Sequence, residues 1–312
     1  MSRGATKGLH ERSDMELTRR SLLTAIGAAT VSGVTAPSTF GIAPVKRRGE
    51  PRMKLSLAAY SFRDYLSGSA KSMNMEDFVD LAATYPLDAV EPTSYYFEEP
   101  VTRDYLRRYQ RRAFLNGLDI SGTAIGNTFT YPPGTQLRKE IDETKKWIEH
   151  AADMGAPVIR IFAGSLEKGT NIADARKWCL DAIQECCQFA GEHGVILALE
   201  NHGGIVSTPD ETFAIVKAVQ SDWFGVNLDT GNFKGADPYA ELARVAPYAV
   251  TVQVKTEISV KGGPRQPADF ARIIDLLRKA GYRGYVALEY EGKEDAKTAV
   301  PRHLQNLRRL IS

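Results

Sequence analysis

Cysteine and histidine are scarce in this 312-residue chain, at three and five residues. Cys179, Cys186 and Cys187 fall close together, with no second cluster of thiols or imidazoles beside them. Such a set gives neither a disulfide framework nor a zinc site, so the thiols read as small apolar residues inside a helix. Basic charge is short as well. The formal net charge is +2, and Met1–Arg52 holds 9 Lys/Arg against 4 Asp/Glu, which leaves the remainder slightly acidic. No basic stripe is left to follow a phosphate backbone, so nucleic acid is excluded as an expected partner. No apolar run in the chain reaches the roughly 20 residues that cross a bilayer. What is present is globular. The chain is 43% hydrophobic, 25% charged and 9% aromatic, which supports a sizeable core and excludes a disordered tail.

Thr18-Arg19-Arg20-Ser21-Leu22-Leu23 is a twin-arginine sequence set directly before a mildly apolar run, Leu22–Val34. That run is too short, and too rich in Ala, Gly and Thr, to be a membrane anchor, and the arrangement reads as an export signal. Small residues at Val34-Thr35-Ala36 and near Ala43 offer cleavage points, each followed closely by proline, and neither fixes the cut. Lys46-Arg47-Arg48 reads as linker. The expected organisation is a signal peptide and linker over residues 1–52 and one domain over 53–312. The expected location is the periplasm or another exported site, with the membrane met only through the signal. Export of an already folded protein favours a cofactor loaded beforehand.

From Lys54 onward, short runs rich in β-branched residues alternate with longer helical patterns. The strands are expected at Lys54–Tyr60, Ala89–Glu91, Asp119–Ala124, Val158–Phe162, Val195–Glu200, Gly225–Asp229, Ala249–Val254 and Tyr285–Glu289. Helices are expected at Met75–Thr84, Thr102–Asn116, Leu137–Met154, Ala173–His193, Pro209–Val219, Pro238–Val245, Pro267–Ala280 and Ala296–Ile311. Asp77 and Thr208 read as helix N-caps, and Gly155, Gly194 and Gly281 as C-terminal caps. Eight such units in this length match an α/β fold of the (β/α)8 TIM-barrel type. A doubly wound sheet would want a Gly-x-Gly-x-x-Gly turn after the first strand, and Tyr60-Ser61-Phe62-Arg63-Asp64 is not one.

In such a barrel, polar residues at the C-terminal ends of strands share one mouth. The last four strands end in Leu199-Glu200, Leu228-Asp229, Gln253-Val254-Lys255 and Leu288-Glu289. Three carboxylates converging there would repel one another unless a cation joined them. The intervals of 29, 24 and 36 residues are each near one βα unit, so consecutive strands would each supply one ligand. The metal set read from the sequence is therefore Glu200, Asp229, Gln253 and Glu289, with Glu291 the same-parity alternative to Glu289. Oxygen donors favour Mg or Mn and disfavour Zn, and His202 just beyond its strand tilts the choice toward Mn.

The runs Leu197-Ala198-Leu199-Glu200-Asn201-His202, Asn227-Leu228-Asp229-Thr230-Gly231-Asn232 and Val286-Ala287-Leu288-Glu289 resemble the xylose isomerase-like TIM-barrel superfamily. That superfamily includes sugar phosphate isomerases and epimerases, ketose 3-epimerases and inosose dehydratases. The resemblance implies that Glu200, Asp229 and Glu289 bind metal, with Glu200 and Glu289 also transferring protons. Two positions depart from the pattern. Gln253-Val254-Lys255-Thr256 stands where the family usually has His-x-Lys-Asp, and Asn232 stands where ketose 3-epimerases often carry histidine.

The expected chemistry is a metal-dependent isomerisation or epimerisation of a small sugar through an enediolate, with Lys255 near the developing charge. His202 is the candidate acid for a leaving group. Loss of a substituent from the same intermediate gives the alternative, a keto-sugar or glycoside lyase or dehydratase. A non-catalytic carbohydrate-binding barrel is the second alternative. Tyr60, Glu91, Asn127 and Asn232 are the candidate substrate contacts, and a second copy of the chain is the other partner left open.

Overall fold

The computed structural model describes residues 41–312 apart from Ala70 and Gly262. The twin-arginine motif and its apolar run lie outside the described residues. Strands β1 (Arg52–Ala58), β2 (Ala89–Glu91), β3 (Asp119–Ile120), β4 (Thr123–Ala124), β5 (Val158–Ile161), β6 (Ile196–Glu200), β7 (Phe224–Asp229) and β8 (Ala249–Lys255) come first. A short pair, β9 (Glu257–Ser259) and β10 (Arg265–Pro267), precedes the last barrel strand, β11 (Arg283–Glu289). The main sheet runs β3-β2-β1-β11-β8-β7-β6-β5-β4, and every pairing in it is parallel.

Its two ends, β3 and β4, are halves of one stretch of chain broken at Ser121-Gly122, so the sheet closes on itself. An isolated parallel bridge from Thr93 to Ala124 spans the join. The result is the eight-stave parallel barrel that the alternating sequence predicts. The hairpin β9–β10, paired antiparallel, was not foreseen and lies outside the barrel sheet.

The helices are α1 (Arg63–Leu66), α2 (Met75–Ala83), α3 (Arg103–Leu115), α4 (Thr135–Met154), α5 (Ile172–His193), α6 (Pro209–Val216), α7 (Pro238–Val245), α8 (Phe270–Lys279) and α9 (Ala296–Ile311). Among the described residues none is long and apolar enough to cross a membrane. Helix starts follow local chemistry. Thr208 caps α6 through a reciprocal pair with Glu211, as its sequence suggests. For α2 the cap is Asn74, three residues earlier than expected. Asp77 is its partner in the box, donating its N–H to Asn74 Oδ1 at 2.8 Å and accepting from the Asn74 N–H at 3.0 Å. Gly155 and Gly194 end α4 and α5 with φ of 75° and 68°, a left-handed conformation that glycine takes without strain.

Cys179, Cys186 and Cys187 are all buried and unpaired on α5. Residues 41–51, read from the sequence as linker, pack against the end of the barrel where the strands begin. Ile42 N donates to Val219 O at 3.1 Å, Val45 N to Pro247 O at 2.9 Å, and the Arg47 guanidinium to Ala249 O at 2.5 Å. The barrel interior is not uniformly apolar. Ser56 and Ser121 hydrogen-bond at 2.7 Å, and above them Glu91, Arg160, Asn227 and Gln253 are all buried. Those residues lead toward the open end.

Candidate active site

Side chains alternate across a strand, so Asn227 and Asp229 face one way, as do Gln253 and Lys255. The parallel register then sets neighbours side by side: Glu200 beside Asn227, Asp229 beside Gln253, and Lys255 beside Glu289. The side chains form two tiers. In the lower one, Asn227 Nδ2 donates to Gln253 Oε1 at 2.6 Å, and Gln253 Nε2 donates to Glu91 Oε1 at 2.6 Å. Glu91 was expected to touch substrate. Instead it is 2% exposed and engaged with Gln253, and burial pushes its carboxyl up to about 8 against the pull of that bond.

The upper tier is ionic. Lys255 Nζ hydrogen-bonds to Glu289 Oε1, donates to Glu291 Oε1 at 2.7 Å, and lies 3.5 Å from Asp229 Oδ2. Burial alone would lower its pKa, but Asp229, Glu289 and Glu291 together raise it well above the usual value, so it is an ammonium. Across the mouth, Glu200 Oε2 lies 3.0 Å from Arg160 Nε, and Glu200 Oε1 accepts from Asn232 Nδ2 at 2.9 Å. Burial pushes the Glu200 carboxyl up, Arg160 opposes it, and the outcome is about 7. Arg160 rests over the Phe162 ring at 3.9 Å and donates to Ile125 O at 2.5 Å.

Glu200, Asp229, Gln253, Lys255 and Glu289 are therefore brought together, as are Asn232 and Tyr60. The Tyr60 ring lies 5.7 Å from Lys255 Nζ. Two candidates stand apart. His202 is exposed at the rim, stacked on Phe162 at 4.4 Å, with burial of part of its ring and the charges of Arg160 and Lys255 keeping it neutral. Asn127 is a loop tie rather than a free hydroxyl contact. Its Nδ2 donates to Phe162 O and its Oδ1 accepts from Phe162 N, both at 2.8 Å.

The sequence reading missed Arg160, although its signal is plain: a lone charge inside the apolar run Val158-Ile159-Arg160-Ile161. It also missed Asn201, which clamps the backbone of Asp229 by two bonds, at 2.9 and 3.0 Å. Among the described residues no three His, Cys, Asp or Glu side chains close on one point as a ready metal site. The donor chemistry nonetheless fits a hard divalent cation. Asp229 Oδ2 is buried with no hydrogen bond, two further carboxylates and an amide oxygen stand on adjacent strands, and sulfur is absent. In the present arrangement the cation among them is the Lys255 ammonium.

A family model described as xylose isomerase-like TIM barrel matches residues 79–310. The chain belongs to that family. A Xenopus laevis protein bearing the name of a hydroxypyruvate isomerase is 26% identical over 52% of this chain and 64% of its own length. The chain thus spans just under two thirds of that relative. Solved structures of sugar epimerases share the fold. D-psicose 3-epimerase of Clostridium cellulolyticum H10 superposes with a TM-score of 0.68 at 14% identity, covering 83% of this chain and 100% of that one. An L-ribulose 3-epimerase gives 0.68 at 18% identity over 83% and 94%. The 3-keto-D-glucoside 4-epimerase of E. coli gives 0.61 at 16% identity over 83% and 100%.

Proposed function

We propose that this chain is a sugar isomerase or epimerase that moves a proton on carbon beside a carbonyl. One observation carries the reading. Two buried glutamates, Glu200 and Glu289, face the same mouth, and each has its own cation, Arg160 for one and Lys255 for the other. A carboxyl near pH 7 suits a base that must also release its proton, and Glu200 sits there because Arg160 offsets part of its burial. Asn232 and Arg160 fix the Glu200 carboxylate plane, which leaves lone pairs free for a substrate proton.

Glu289, handed a proton by the Lys255 ammonium bonded to it, then delivers that proton to the opposite face or the next carbon, giving epimerisation or isomerisation respectively, and the two carboxyls reset through solvent. Lys255 donates toward the oxygen on which enediolate charge develops. When bound, a divalent ion supplies Lewis acidity at the substrate oxygens, and Glu200, Asp229, Gln253 and Glu289 are the residues that would hold it. Their all-oxygen donor set favours manganese or magnesium over zinc.

The names of the relatives supply the first substrates to try, hydroxypyruvate and free ketoses. The twin-arginine motif supports work outside the cytoplasm. The test is exchange of solvent deuterium into these compounds, followed by NMR. Exchange with isomerised or epimerised product is expected, whereas exchange accompanied by an eliminated product would replace this reading with a lyase. Binding without exchange would leave only a carbohydrate-binding role.

A further inference from the structure

We propose that the mouth carries a subsite for an anionic end of the substrate, formed by Lys234 and Arg265 beneath the hairpin β9–β10. The inference rests on the isomerase reading and narrows it to acids or phosphate esters. A cavity of about 40 Å³ lies beside Lys255, with Lys234 from the loop after β7, Ser259 and Arg265 from the hairpin, and Glu257 and Glu291 on its walls. A single water needs roughly 10–15 Å³ of such space, so the cavity admits a small group of a few heavy atoms. Lys234, Lys255 and Arg265 line it with Glu257 and Glu291, and because Lys255 is already answered by Asp229 and Glu289, the charges open to a ligand are those of Lys234 and Arg265.

The cations differ in how far they are engaged. Lys255 is held by Glu289 and Glu291. Lys234 is exposed and forms no ion pair among the described residues. Arg265 Nη1 lies 3.6 Å from Glu257 and 3.7 Å from Glu291, both beyond hydrogen-bond length, so its guanidinium donors remain open. A planar fork of open donors beside a free ammonium is the arrangement that binds a carboxylate or a phosphate. The hairpin explains why they are there. It adds nothing to the barrel sheet, yet the pairing of Arg265 with Ser259, pinned by buried Ile258, sets the guanidinium over the cavity next to the proton-transfer groups.

The experiment uses the full chain loaded with Mn²⁺ and compares hydroxypyruvate, a ketose phosphate and a neutral ketose by deuterium exchange. The anionic compounds should give a KM at least about tenfold lower than the neutral one, rising with salt. In the double variant Lys234→Gln/Arg265→Gln that preference should collapse through KM with little change in kcat, and Arg265→Lys should restore it in part. Whichever anion is preferred identifies the group as carboxylate or phosphate. Preference for the neutral ketose, or a double variant that loses kcat while keeping its KM ratio, overturns the subsite while the isomerase reading stands. If no compound exchanges, that reading falls, and calorimetry with unreactive tartronate decides the subsite alone. Binding by the native chain that the double variant loses supports it, and equal binding by both overturns it.

Discussion

Glu200 and Glu91 are both buried acids raised by desolvation, yet they answer to different partners and predict different behaviour. Glu200 has Arg160 beside it and titrates at about 7, so the ionised base accumulates as pH rises through neutrality. In the metal-free chain the Glu200 carboxyl should therefore titrate through about pH 7 by NMR, and Arg160→Gln should move that titration to higher pH, because the cation opposing burial is gone. Glu200→Gln should lower the exchange rate by about 10²–10⁴-fold, the usual worth of a positioned acid–base group. Glu91 is hydrogen-bonded by the Gln253 amide and feels Arg160 more weakly, and burial still carries it to about 8. Its folded pKa lies above its unfolded one, so the protonated acid stabilises the fold fully at low pH. That contribution is lost as pH climbs toward 8. Glu91→Gln should therefore gain melting temperature relative to the native chain between pH 5 and 8, with the gap widening as pH rises, as read by thermal denaturation at a series of pH values.

Elements position these groups with little slack. A Cβ added at Gly231 would meet Lys255 Cγ at 2.7 Å and Lys255 Cβ at 2.9 Å. Gly231→Ala should thus shift the ammonium, costing about 1–3 kcal/mol of stability by overpacking and lowering kcat more than it raises KM. Thr208→Ala is the contrasting case. It removes the cap of α6, far from any proposed contact, and should cost about 1 kcal/mol in chemical denaturation without altering exchange kinetics. The same contrast explains what the sequence made visible. Strand ends such as Leu199-Glu200 and Leu288-Glu289 stand out because an acid closing an apolar run is costly unless something answers it. Arg160 carries the same kind of signal one residue before the end of β5, inside the apolar run instead of closing it. Asn232 against Glu200, and Gln253 between Asn227 and Glu91, depend on register between separate strands, which no local pattern encodes. The hairpin β9–β10 is only three residues a side, flanking Gly262-Gly263, and nothing in its composition separates it from an ordinary loop.

At the scale of the molecule, periodicity told more. Pro238–Val245 and Ala296–Ile311 are observed at the bounds their patterns predict, and the eight-stave count follows from alternation alone. The boundary near Arg52 is harder to read, because residues 41–51 have the composition of a tether and join the barrel through main-chain bonds, Arg47 and the Ile42 side chain packed on the core. The proposed export signal makes its own prediction. Replacing Arg19 and Arg20 by lysine should retain the protein in the cytoplasm, as measured by cell fractionation, with exchange activity intact in the retained material.

The broken stave at Ser121-Gly122 joins these scales. A side chain at Gly122 would press on Val158 Cγ1 at 2.8 Å and stand 3.9 Å from Glu91 Oε2, so the break in the stave flanks a buried acid. Parting of the wall at that break would open a way for water and protons to Glu91. Amide hydrogens from Ser121 to Ala124, where the stave is interrupted, should then trade with deuterium ahead of those in β7 and β8.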